Sequence, residues 1–194
     1  MSEGIVTSCL HFDKPGPANT GALLAHAAQR AGEAGIEKIV IATCTGRTVE
    51  AALEHFDLSR FRLIAVSHVT GFREPDHQEL SEEARAALEG KGIKVLTAAH
   101  AFGGVGRGVR NKLGTFQVDE IMAFTLRMLG QGVKVGLEMC YMAADRGWVR
   151  TDEEIMTIAG TGRGADTAMI VKPAHSAACL EAKVKEIVAK PRNP

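Results

Sequence analysis

The run Lys38-Ile39-Val40-Ile41-Ala42 constrains this chain more than any other feature, because it is nearly continuous in apolar residues and stands between a glycine-bearing turn and a threonine-rich one. A half-buried strand would alternate. This run does not, so it predicts a parallel strand covered on both faces, with helices above and below the sheet that contains it.

The flanking segments agree with that prediction. Lys14-Pro15-Gly16-Pro17 forces a turn after an extended opening segment that ends near Phe12, and Asn19 or Thr20 caps a helix carrying Leu23, Leu24, Ala27, Ala28 and Ala31. Beyond the strand, Val49, Ala52, Leu53 and Phe56 give a second helix and residues 62–67 a second strand. Leu80, Ala84, Ala87 and Leu88 then form a helical stripe, followed by a third strand over residues 93–97. Such alternation predicts a parallel sheet with right-handed crossovers.

Residues 98–115 are Gly-rich and basic. Their glycines are not spaced as G-x-G-x-x-G, and Arg110-Asn111-Lys112-Leu113-Gly114 is a poor helix start, so the segment is expected to be a mobile basic loop rather than a dinucleotide fingerprint. Val118, Ile121, Met122, Thr125, Met128 and Leu129 restart a helical period, and residues 133–146, apolar on most faces, predict a helix deep in the domain. Residues 154–159 and 167–173 predict two strands whose connection, 160–166, is too short for a crossover helix, so they must be antiparallel. A last amphipathic helix is expected from Leu180, Val184, Ile187 and Val188. The expectation is therefore one α/β domain over residues 1–194, three-layered α/β/α, with a mixed, mostly parallel sheet of about five strands, the last antiparallel. The N-terminal segment would add an edge.

Lysine plus arginine equals aspartate plus glutamate at 23 each, which leaves no excess positive charge for a nucleic-acid partner. No apolar stretch approaches the roughly 18–20 residues that span a bilayer, and the first ten residues, with the acidic Glu3, lack the order of a secretory signal. A cytoplasmic location is expected. The four cysteines, Cys9, Cys44, Cys140 and Cys179, include no C-x-x-C pair, so reduced thiols, no metal and no cofactor are expected.

Ligands of open parallel sheets bind beyond the carboxyl ends of the strands. Thr43-Cys44-Thr45-Gly46-Arg47-Thr48 follows the best strand directly and combines hydroxyls, a close-approach glycine, an arginine and a helix N-terminus, which suits phosphate or carboxylate. The plainer alternative is that the threonines cap the helix and Gly46 shapes the turn. The same helix start and Arg47 would lower the pKa of Cys44 and favour its thiolate, although a small residue packed behind the loop is the simpler reading. His68 and His100 occupy comparable places after the second and third strands, where a pair could shuttle protons, or with Glu138 or Asp145 hold a metal; polar loop residues are the simpler reading. Glu138 and Asp145, on an otherwise apolar helix, require partners.

The stretch Ile39-Val40-Ile41-Ala42-Thr43-Cys44-Thr45-Gly46-Arg47-Thr48 resembles the strand and phosphate loop of the pyruvate kinase C-terminal domain. Ile155 through Gly160, the turn after it, and Asp166-Thr167-Ala168-Met169-Ile170-Val171 are similar to that domain's closing hairpin. The resemblance is nearest to the stand-alone bacterial and archaeal proteins of this type, and it implies Thr43, Thr45, Gly46, Arg47 and Thr48 as one wall of a phosphate site and Gly162, Arg163 and Gly164 as the other. It also implies a domain whose first two core strands lie at the centre of the sheet. The catalytic barrel of the kinase has no counterpart, so phosphoryl transfer to ADP is not expected, and the closing turn lacks a tryptophan, the only one being Trp148. A small phosphorylated or anionic metabolite is the expected partner and a homodimer the expected assembly. A small enzyme using His68 and His100, and a subunit-interaction module, are the alternative functions.

Overall fold

A computed structural model describes residues 4–194. In chain order the elements are β1 (Leu10–Phe12), α1 (Thr20–Glu33), β2 (Lys38–Ala42), α2 (Arg47–Ala52), β3 (Arg62–Ser67), α3 (Glu82–Glu89), β4 (Lys94–Thr97), α4 (Val105–Leu113), α5 (Val118–Arg127), α6 (Gln131–Asp145), β5 (Ile155–Ala159), β6 (Thr167–Lys172) and β7 (Lys183–Pro191). Short 3-10 turns precede α1 and β7.

The strands form one sheet in the order β1-β7-β6-β5-β2-β3-β4. Pairing is parallel at β2/β3, β3/β4, β2/β5 and β1/β7, and antiparallel on both sides of β6. Only β6 runs against the rest. Alternate side chains of the central strands feed opposite faces, as strand geometry requires: Ile39, Ile41, Leu63 and Ala65 join the core beneath α1, α2 and α3, whereas Val40, Ile64 and Val66 join the core beneath α5 and α6.

Helix α6 lies closest to the sheet, and glycines are the reason. A Cβ on Gly136 would come within 2.6 Å of Met169 Cε and 2.8 Å of Thr157 Oγ1, so only a bare backbone fits there. The same helix buries an ion pair, Lys134 with Glu138, whose Nζ and Oε2 lie 2.5 Å apart. The other carboxylate oxygen accepts from the Phe102 amide at 2.9 Å, which leaves the buried charge with both a counterion and a backbone donor. Burial lowers the Lys134 pKa, and its partner Glu138 opposes that shift.

The architecture is α/β with helices on both faces and a mostly parallel sheet, but the sheet has seven strands where about five were expected. The extra two are β1, the edge anticipated from the N-terminal segment, and β7, which replaces the expected final helix. Two register irregularities against β6, between Ala168 and Met169 and between Ile170 and Val171, disturb the period of two along β7. Its apolar residues therefore fall at helical intervals although the segment is a β-branched strand. With β1 and β7 on one side, β5 is the central strand, and β3 lies one place from the opposite edge.

The basic segment is likewise not a loop throughout. Val105–Leu113 is helix α4, closed by Gly114 at φ 73°. One of its glycines has a packing function: a Cβ on Gly106 would collide with the Asp119 carboxylate of α5, so tertiary contact there overrides poor helix propensity. Helix α5 leaves Val118, Ile121, Phe124 and Met128 each more than half exposed. Among the described residues no helix is long and apolar enough to cross a membrane.

Candidate functional site

The chain leaves β2 by way of α2 on one face, whereas β5 is reached through α4, α5 and α6 on the other. The chain leaves β2 toward β3 and leaves β5 toward β6, so the two loops diverge, and it is between such loops that open α/β sheets bind ligands. The β2 loop is held from within. Thr43 donates its amide to Val66 O at 2.9 Å, and its Oγ1 accepts from the Gly46 amide at 2.9 Å, so this threonine builds the turn. Gly46 sits at φ 92°, a left-handed conformation that its lack of a side chain permits. Among the described residues the amides of Cys44, Thr45, Arg47 and Thr48 make no hydrogen bond. Thr45 and Arg47 are exposed, and Thr48 is half-buried.

His68 follows β3 and meets this loop. Its Nδ1 lies 2.5 Å from Glu79 Oε2, and Glu79 Oε1 is 2.9 Å from Arg73 Nε. Cys44 Sγ stands 3.7 Å from Nδ1 and 3.8 Å from Nε2 of the same imidazole. Burial raises the Cys44 pKa, Glu79 adds to the rise, and Arg73 and Arg163 oppose it. The expected lowering by the helix start and Arg47 is thus corrected: desolvation of the thiol outweighs the positive charges around it.

His100, beyond β4, belongs to the same cluster. The rings of His68, His100 and Phe72 form a cluster, with centroids 4.1 Å (Phe72–His68), 4.9 Å (Phe72–His100) and 5.4 Å (His68–His100) apart, and the Arg107 guanidinium covers Phe72 at 5.0 Å. The Val69 amide donates to His100 Nε2 at 3.4 Å, so that nitrogen is the acceptor and Nδ1 carries the proton. Burial brings the His100 pKa down to about 4, and His68, Lys134 and Arg107 push the same way against Glu138. It is a neutral imidazole at neutral pH.

The turn between β5 and β6 lies beyond the same strand ends. Asp166, fully buried, accepts from the amides of Gly16 at 3.0 Å and Thr161 at 3.1 Å, and from Thr167 Oγ1 at 2.9 Å. Thr20 Oγ1 accepts from the Ala165 amide at 2.9 Å. Gly164 has φ 71°, and a Cβ there would come within 2.6 Å of Pro17 Cα, so this glycine serves the packing of the turn. Gly162, at φ 81°, faces open space. Arg163 is exposed, and its guanidinium is near enough to act on Cys44.

Of the residues singled out in the sequence, Cys44, His68, His100 and Arg163 thus come together at one end of the sheet. Glu138 lies inside with Lys134, and Asp145 is exposed, accepting from the Ser176 amide at 3.0 Å. Sequence reasoning missed Glu79, Arg73 and Phe72. The available signal was the Gly- and Pro-bearing segment 69–80 following a confident strand, the position from which binding loops are drawn.

Cys44 Sγ, a His68 ring nitrogen and a Glu79 oxygen all lie within 4.8 Å of one another, and this donor set could hold a cation such as zinc. Arg73, already paired with Glu79, places a positive charge against any such ion. A second basin lies between α4 and α5, a cavity of about 390 Å³ lined by Arg107, Arg110, Arg127, Glu120, Phe102 and Phe124 among others. Arg110 Nε stands 3.1 Å from Glu120 Oε1 without hydrogen-bond alignment, and Glu120 Oε2 has no partner among the described residues. No protein-family model matches the chain.

Proposed function

We propose that the chain binds a small anionic, phosphorylated metabolite in the crevice between the β2 loop and the β5–β6 turn, as a domain of the pyruvate kinase C-terminal type without pyruvate kinase activity. One observation carries the reading: the amides of Cys44, Thr45, Arg47 and Thr48 have no partner among the described residues, and the positive charges of Arg73 and Arg163 act on Cys44. Unpaired amides beside positive charge make a receptor for oxyanions.

A thermal-shift screen of phosphorylated metabolites on wild type, Arg163→Ala and Arg47→Ala tests it. A true ligand raises the melting temperature of wild type, with about 3 kcal/mol of stabilisation at a hundredfold excess over its dissociation constant, and the rise shrinks in Arg163→Ala. If every phosphorylated compound treats the three proteins alike, the reading is wrong.

A second reading, a small enzyme acting on such a metabolite, is favoured by one specific feature. His68 is held between a thiol and a carboxylate, an arrangement that binding alone does not require.

A further inference from the structure

We propose that Cys44, His68 and Glu79 form a thiol acyl-transfer centre, with Cys44 as nucleophile, His68 as general base and Glu79 as the group that orients the imidazole. The class of substrate is an activated carboxyl compound, a thioester or ester. For the anionic portion of that substrate the inference rests on the binding crevice described above.

Two independent features converge. The first is the chain of contacts: Glu79 Oε2, 2.5 Å from Nδ1, orients the ring, and Cys44 Sγ lies beside it, 3.7 Å from Nδ1 and 3.8 Å from Nε2. Nucleophile, base and orienting acid are the three members that thiol and hydroxyl enzymes require. The second is position. Cys44 lies between a parallel strand, β2, and the helix that follows it, where a nucleophile stands clear of the sheet and the amide of the next residue can stabilise an oxyanion. The Thr45 amide, unpaired among the described residues, is that group here.

A metal centre built from the same atoms fits less well. Glu79 Oε1 is already paired with Arg73, so a cation on Oε2 would sit beside a guanidinium.

The reaction balances within these groups, substrate and water. His68 Nε2 takes the Sγ proton as the sulfur pair forms a bond to the carbonyl carbon, and the carbonyl π pair moves to oxygen. Collapse of the tetrahedral species breaks the bond to the leaving alcohol or thiol, which departs with the proton from His68. Water then attacks the resulting thioester while His68 removes a proton, the carboxylic acid is released, and the proton returns to Cys44.

The test uses the full chain and p-nitrophenyl acetate, an uncharged probe, with acetylation at each cysteine followed by peptide mass spectrometry. Cys9 is an internal control, since His11 Nε2 lies 3.8 Å from its sulfur but no carboxylate bonds that ring among the described residues. Cys179, partly buried and without such a pair, is a second. Cys44 should acetylate faster than both, with release of p-nitrophenol, and His68→Gln should slow it about 100-fold while leaving Cys9 and Cys179 unchanged. Glu79→Gln should slow it less. Equal rates at Cys44 and Cys179 in wild type would overturn the proposal without recourse to any variant. So would an unchanged rate in folded His68→Gln, or one equivalent of zinc lost in both Cys44→Ser and His68→Gln. Because the probe carries no anionic group, its failure leaves the metabolite-binding reading standing, and the converse also holds.

Discussion

The crevice at the ends of β2, β3 and β5 and the cavity between α4 and α5 both contain arginines, yet they treat polar groups in opposite ways. In the crevice nearly every functional side chain has an assigned neighbour: Glu79 holds His68 and Arg73, Val69 fixes the His100 tautomer, and Asp166 anchors the turn that carries Arg163. In the cavity Glu120 Oε2 is buried without a partner and Arg110 is poorly aligned. A rigid sheet fixes the directions of its strand ends and so preorganises the loops that leave them. Two helices packed against each other through a glycine do not impose the same order.

Glu138 separates the two regions, and its removal should have the largest effect. It bonds the amide of Phe102, which lines the cavity, and its charge is felt at His100 in the crevice. Glu138→Ala strands Lys134 as a buried, unpaired cation, and urea denaturation should report a loss of about 3–5 kcal/mol. A loss below about 1 kcal/mol would mean that water reaches the pair and that the wall is not closed.

His100 should come next, through pH. Its folded pKa of about 4 lies below the value of roughly 6.5 for an unfolded histidine. Between those values the unfolded chain binds a proton that the native ring refuses, so stability falls as pH drops from about 6.5 to about 4. Partial exposure holds the loss to about 2 kcal/mol. Denaturation midpoints across that window should fall less steeply for His100→Gln, which keeps an acceptor for Val69. Parallel slopes for the two proteins would show the ring to be solvated.

The smallest change belongs to the cavity. Glu120→Gln keeps the shape and removes a charge whose pairing with Arg110 is imperfect and a third exposed on the arginine side, so about 1 kcal/mol or less should be lost. A loss matching that of Glu138→Ala would erase the distinction between the two regions.

The path from β2 to β4 was legible in the sequence because each of its elements is specified locally, by an unbroken apolar run, a glycine turn or a helical stripe. β7 was not, since its bulges against β6 are a property of the pair and give Val184, Ile187 and Val188 a helical spacing. α4 was hidden by its glycines, one of which, Gly106, has its purpose in another helix, at Asp119. For the site, the strand ends marked Cys44, His68 and His100. Glu79, eleven residues beyond His68 in a segment without periodicity, could be joined to them only by the fold. The direction of the Cys44 shift was missed for a related reason: neighbouring charge is visible in a sequence, whereas the water excluded from a thiol is not.

The reversed strand β6 has a consequence for the reach of Arg163. Because β5 returns directly through a turn, no crossover helix supports that arginine from behind, and its support comes from the amino-terminal segment instead. Gly16 grips Asp166 across 150 positions of sequence, and Thr20 grips Ala165 across 145. A disturbance of residues 16–20 would therefore be felt as a withdrawn positive charge at the mouth of the crevice, with every group that faces the ligand left chemically intact.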